Sequence, residues 1–252
     1  MLPAGTGPVY VHDGTFEGLM SVIYEATKRN HVPEDVVTGV DESLLLFSDY
    51  VHIAADRGKA ERVIAAVKSR LPENSWSRII YAFLSEERQM PLALVKYVMA
   101  GWNVKRELES YCTHDAVKPV IDMASRVSKE RHRMLGLLRF RRTADDIYYA
   151  PMEPDHNILP VVTAHFSRRM AAQRWIIHDR RRNMAALHEK GDWQLTEFHV
   201  ERSIDLHAEE ALYQELWRGY FSAIAIQERK NKKLQRQLLP ARYWKHLVEG
   251  IS

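Results

Sequence analysis

Cysteine is nearly missing from this 252-residue sequence: Cys112 stands alone. A single thiol excludes an intramolecular disulfide and a Cys-ligated metal cluster. No apolar run approaches the ~18 residues that a membrane span needs. The opening MLPAGTGPVYVHDG has no basic stretch ahead of an apolar one, so no secretion signal is expected. Neither G-x-G-x-x-G nor a Walker-type glycine loop occurs. No histidine pair has H-E-x-x-H spacing, so no metal ligands are assigned and no cofactor is named. Repeats and low-complexity segments are also missing. These absences leave a soluble protein of a reducing compartment, expected in the cytoplasm and away from membranes.

What is present is ordinary in bulk and uneven along the chain. Hydrophobic residues make up 46%, enough for a core that needs no staple. The net charge of +3 is a cancellation. Residues 1–125 carry 13 basic and 17 acidic side chains, a balance of −4, whereas residues 126–252 carry 23 and 16, a balance of +7. Arginine dominates the basic half, and its planar fork matches phosphate geometry. Such an asymmetry points to a polyanionic partner for that half.

Periodicity predicts an α+β protein. Residues 8–12 read as a strand, Thr15 as a helix cap, and residues 16–29 as an amphipathic helix. Residues 30–50 read as a polar connection, and residues 50–55 as a second strand. Helices are expected over residues 59–70, over 78–85 with Ser75 or Ser77 as cap, and from Pro91 to near Gly101. More helix follows over 107–137, interrupted near 113–115 and at Pro119. Residues 135–142 and 146–151 read as a hairpin, and residues 156–170 as a helix. Residues 174–178, 184–188 and 193–198 read as further strands, with a turn at 190–192. A helical stripe of Leu212, Leu216, Tyr220 and Ile224 precedes a break at Pro240 and a short final helix. The expectation is a mostly helical, acidic half over 1–130, packed with an antiparallel sheet and C-terminal helices over 131–252. The two could also form one continuous domain.

Residues 131–182 are densest in functional groups. Two prolines stiffen the EPDHN segment where a strand hands over to a helix, and Asp155 or Asn157 could cap that helix. Its N-terminus would offer unpaired N–H groups to an anion. Seven of the 12 histidines fall within residues 132–207. Glu153, Asp155, His156, His165, His178 and Asp179 are the candidate acid/base groups of a catalytic site; an ordinary cap and a buried, bonded His165 are the plainer explanation. Arg139 and Arg141, two apart on a strand, share a face. Arg180, Arg181 and Arg182 fall in a turn, and Arg168 lies near a helix end. With Tyr149 and Asn157 these are candidate DNA contacts, since basic and aromatic groups interleave as unstacked bases require. At least half of the aromatics are expected in the core. Lys232 and Lys233 belong to a second basic patch near the C-terminus.

Several blocks resemble a known bacterial family: YVHDGTFEG at 10–18, AFLSE at 82–86, ERHR at 130–133, GLLRF at 136–140 and YYAPMEPDHNILP at 148–160, with AHF at 164–166, IIHDR at 176–180, LWRGYF at 216–221 and RYWK at 242–245. The chain is similar to a DNA-repair or DNA-metabolism family built around a domain of unknown function. Its members neighbour a radical-SAM DNA-modification or repair protein, and related domains are fused to uracil-DNA-glycosylase-like proteins. The resemblance implies DNA and that radical-SAM enzyme as partners. It supplies no catalytic residues. Three readings follow: a DNA-binding repair factor, an enzyme acting on damaged DNA or a modified nucleotide, or an interaction adaptor whose acidic half docks a partner.

Overall fold

A computed structural model describes residues 7–39, 50–200, 204–225, 231, 233–234 and 239–249. The chain divides into two compact units, Met1–Ser128 and Lys129–Ser252.

In the first unit, β1 (Val9–His12) is buried along its whole length, as an uninterrupted Val-Tyr-Val run requires. Gly14, at φ 82°, turns the chain into α1 (Phe16–Arg29). Thr15 caps this helix as expected, its hydroxyl accepting from the Gly18 N–H at 2.9 Å. Asn30 ends it in the left-handed conformation. The chain returns as β2 (Val36–Thr38), parallel to β1, and β3 (Tyr50–His52) pairs parallel on the other side. The polar connection expected over 30–50 therefore contains a strand. Its signal is only three residues long, and Val36 alone in it is buried.

Four helical elements follow. They are α2 (Arg57–Arg70), capped by Asp56, then α3 (Glu73–Phe83), α4 (Met90–Val104) and a 3-10 helix, Lys105–Tyr111. Pro91 sits in the first turn of α4, as expected. The start of α3 differs from expectation. Pro72 opens the helix, and Ser75 lies buried inside it, bonded to the Tyr97 hydroxyl at 3.1 Å rather than capping. Leu19, Ile23, Val67, Ile79, Leu94 and Val98 form the centre of an apolar core. Gly101 lets α4 approach closely, because a Cβ there would meet Leu71 at 2.8 Å.

The next helix, α5 (Lys118–Leu137), begins in the first unit and ends in the second. Pro119 occupies its first turn and interrupts nothing. The strand expected over 135–142 is overturned. Met134 and Leu138, four apart, are both buried, so the helical period prevails and only Arg141–Arg142 (β4) is strand.

The second unit continues with β5 (Tyr148–Met152), α6 (Leu159–Arg169), β6 (Trp175–Asp179), β7 (Met184–Glu189) and β8 (Asp192–Glu197). The sheet order is β4-β5-β6-β7-β8. The fold is α+β, but the expected antiparallel sheet needs correction. Three pairings are antiparallel, while β5 and β6 run parallel, with Tyr149 opposite Ile176 and Pro151 opposite His178. The cause is α6, which carries the chain back so that β6 starts from the same end as β5. Lys190 and Gly191, both at positive φ, make the tight turn between β7 and β8.

Phe166 of α6 meets Phe140, which meets Trp175, so α6 covers the sheet face that carries Trp175 and Ile177. By alternation, Arg141, Tyr149 and His178 belong to the opposite face. The last described elements are α7 (Glu210–Ile224) and a second 3-10 helix, Ala241–His246. The stripe Leu212, Leu216, Tyr220 and Ile224 lies on α7 and is exposed. No described helix is long and apolar enough to cross a membrane.

Candidate functional site

Because β5 and β6 are parallel, the chain leaves both strands at the same edge of the sheet. The exit of β5 carries Glu153, Pro154, Asp155 and His156; the exit of β6 carries Arg180, Arg181 and Arg182. Asp179, fully buried, ties the second loop: one carboxylate oxygen accepts from the Arg181 and Arg182 amides at 3.1 and 3.3 Å. The other holds the Arg182 guanidinium at 3.0 Å. That guanidinium reaches across to the Pro154 and Asp155 carbonyls at 3.3 and 2.9 Å, and Arg181 also reaches the Asp155 carbonyl. Burial raises the Asp179 carboxyl above its ordinary range, against the pull of Arg182 and the two amides.

A second carboxylate, Glu130 on α5, fixes the first loop. It is 1% exposed and accepts four hydrogen bonds. These come from the Asp155 amide at 2.8 Å, the His156 amide at 3.0 Å, the His156 ring Nδ1 at 2.5 Å and the Tyr243 hydroxyl. Burial alone would raise its pKa. The bonds from His156, Tyr243 and the two amides prevail and hold it at about 2. Burial, and next the Glu130 carboxylate, push the Tyr243 phenol up. Arg242 closes the arrangement by pairing with the Asp155 carboxylate and donating to the Tyr243 oxygen at 3.1 Å. Beside it, Glu153 holds Lys245 at 2.6 Å, with His246 Nε2 3.4 Å away.

The Glu130–His156 pair has a definite chemical consequence. A carboxylate on Nδ1 fixes that nitrogen as the donor, so in the neutral ring Nε2 carries the lone pair. The His156 side chain is 16% exposed, enough for one ring edge to meet a small molecule. An oriented imidazole of this kind can accept a proton from water or a hydroxyl. Among the described residues, no group of three or more His, Cys, Asp or Glu side chains is arranged to hold a metal ion.

The structure joins five of the six acid/base candidates at this edge. Asp155 and His156 share Glu130, Asp179 is linked to them through Arg182, and Glu153 and His178 lie nearby. His178 is buried and bonded to the Tyr149 hydroxyl at 2.7 Å. Burial first, and the adjacent Arg180 second, lower its pKa to about 4. His165 stands apart on α6, half-exposed, with its ring edge-on to Phe166; the buried positions of that helix are Leu159, Val162, Thr163 and Phe166. The cap position of α6 is Ile158, with no side-chain cap bond, and the Asp155 carboxylate is directed to Arg181 and Arg242 instead.

The candidate DNA contacts divide sharply. Arg139 is committed to a bidentate pair with Glu249, at 3.1 and 2.6 Å, and Arg182 to Asp179 and the loop carbonyls. Tyr149 is buried on the sheet face opposite α6, its hydroxyl on His178, and Asn157 is half-buried. Arg141 is half-buried beside His246. Arg168, Arg180, Arg181 and Lys233 are exposed. Lys232 lies outside the described residues. Sequence reasoning missed Glu130, Arg242 and Tyr243, the residues that organise the site. Their signal was present only as the blocks ERHR and RYWK, whose spacing says nothing of their meeting.

Fold and site together define an α+β protein in which two buried carboxylates lock a proline-stiffened loop around an oriented imidazole. Residues 88–249 match DUF4130, a domain of unknown function. That match covers well over half of the chain, and the chain belongs to the DUF4130 family. No curated protein matches it.

Proposed function

We propose that this chain is a DNA-repair or DNA-metabolism protein that binds DNA and acts with a radical-SAM enzyme. One observation carries the binding: Arg168 and Arg169 at the end of α6, and Arg180 after β6, are exposed, and among the described residues no hydrogen bond or ion pair engages their guanidinium groups. Arg181 adds a mostly exposed guanidinium held loosely to Asp155 at 3.5 Å. Uncommitted guanidinium groups are what phosphate contact needs, and they carry no base-reading code, so backbone contacts dominate. The radical-SAM partner rests on the family resemblance. With one cysteine, any iron–sulfur chemistry belongs to that partner. The test is DNA affinity against salt. The R168A/R169A/R180A/R181A variant should bind more weakly with a shallower salt dependence, by about one unit of slope per lost phosphate contact. Absence of binding by the wild-type chain to single- or double-stranded DNA at about 50 mM salt rejects the proposal.

A second reading is favoured by the Glu130–His156 pair: the chain is itself an enzyme on damaged DNA or a modified nucleotide, with His156 as proton acceptor. His156→Gln should then abolish turnover while leaving DNA affinity intact. Full repair activity in that variant removes His156 from the chemistry.

A further inference from the structure

We propose that the cavity lined by α7 and the β4–β5 edge of the sheet binds an unpaired nucleobase carrying an exocyclic amino group. The inference deepens the DNA-binding reading and rests on it for the source of the base.

Spacing on α7 begins the argument. Glu210, Tyr213, Gln214 and Trp217 recur at i, i+3, i+4 and i+7, so they share one face of that helix. With Phe140 and Tyr148 they line a cavity of about 490 Å³, which falls within the size range of small-molecule pockets. Four aromatic rings thus border one space. Tyr213 is 56% exposed and Trp217 38%, and exposed apolar surface gathered around a cavity marks a binding site. The indole is oriented in advance, because its N–H donates to the Glu249 carboxylate at 3.0 Å. Rings so placed suit the stacking of a flat heterocycle.

The polar groups of the wall select among such guests. Glu210 is 7% exposed, and its two oxygens accept from the Arg142 amide and the Gln214 side-chain amide, each at 2.9 Å. Each oxygen keeps a second lone pair. Gln214 spends its nitrogen on Glu210, which leaves its amide oxygen as an acceptor. The cations that line the cavity are committed: Arg142 pairs with Asp146 at 2.7 Å and Arg139 with Glu249 at 2.6 Å. Recognition therefore falls to the rings and the acceptors, not to a phosphate. A wall of acceptors favours a guest that donates. Cytosine offers its amino group where thymine has a carbonyl oxygen, and a carboxylate is the partner that a cytosine amino group takes. The base must be unpaired, since a duplex hides its ring faces within the stack. A base in a single strand and a free nucleoside share this chemistry.

The experiment uses the full chain with three single strands of equal length, oligo-dC, oligo-dT and an abasic strand, and with deoxycytidine in parallel. Oligo-dC should bind ~10-fold more tightly than either of the others. Tyr213→Ala should erase most of that preference while leaving abasic binding unchanged, and Glu210→Gln should move the preference from dC towards dT. Tyr213 is exposed, so the test does not hinge on a core variant folding. Equal affinity for oligo-dC and oligo-dT overturns the proposal and leaves DNA binding standing. Deoxycytidine bound by the wild-type chain and lost in Tyr213→Ala, with no strand bound, supports the cavity and rejects the DNA reading. Binding of neither strand nor nucleoside rejects both.

Discussion

The two units bury different chemistry. Among the described residues of the first unit, the buried side chains are overwhelmingly apolar, and His12 is the buried member of the acidic, basic and histidine residues. In the second, Glu130, His178, Asp179, His188, Glu210 and His246 are all buried. Burying an ionisable group is expensive unless it is bonded, and a hydrophobic substitute often serves stability as well or better. The second unit therefore carries groups that its stability does not require. Two of them hold loops: Glu130 accepts from the amides of Asp155 and His156, and Asp179 from those of Arg181 and Arg182. That contrast is a reason, separate from the charge asymmetry in the sequence, for seeking the proposed site in the second unit.

The contrast can be broken hardest at Glu130. Glu130→Ala strands two amides, an imidazole and a phenol, and should cost about 3–5 kcal/mol, read as a lower urea midpoint. In the first unit, Leu94→Ala should cost about 2–5 kcal/mol through its cavity alone and leave the pH dependence unchanged. A Glu130→Ala variant as stable as wild type would show that the polar clamp is not structural.

The pH dependence of stability sharpens the same point. His178 is held at about 4 in the folded chain, against 6.5 as its reference. The unfolded chain therefore binds the extra proton first, and stability should fall as pH drops from about 6.5 to 4. Glu130 is held at about 2 against 4.5. Its contribution is complete above about 4.5 and is lost as pH falls towards 2. Urea titrations across pH should show two successive losses. His178→Gln should remove the first and Glu130→Gln the second. A single loss unaffected by either variant contradicts the assignment.

A smaller effect separates structural from ligand-facing arginines. Arg139→Ala breaks the half-buried pair with Glu249 and the stack on Trp217, costing about 1–3 kcal/mol with little change in DNA affinity. Arg168→Ala should do the reverse. The smallest effect is expected at the exposed Arg57–Glu61 pair of the first unit, where Arg57→Ala should leave the unfolding midpoint unchanged.

Much of the fold was legible. The Thr15 cap, Pro91 in its helix, the turn at Lys190-Gly191 and the strands on either side are local features, and local pattern located them. The parallel β5–β6 pair was missed although its signal was present: the helix expected over 156–170 stands between the two strands, and a crossover of that length suits parallel pairing. The site was half legible. Glu153, Asp155 and His156 stand out by type in one short run. Glu130 lies 26 residues from His156 and 113 from Tyr243, and nothing in residue spacing announces such meetings. Arginine count misled for the same reason: it cannot show that Arg139 is already paired with Glu249, or Arg182 with Asp179.

The Tyr243–Glu130 bond also orders events during synthesis. The carboxylate and the phenol that meets it are 113 residues apart. At roughly 5–20 residues per second, the ribosome makes Glu130 about 6–23 seconds before Tyr243. Through that interval the EPDH loop can hold Glu130 by its two amides and its imidazole, but the phenol and Arg242 are still missing. The candidate site thus waits for a segment made 113 residues after Glu130, which delays its assembled form until the sheet beneath it has been made.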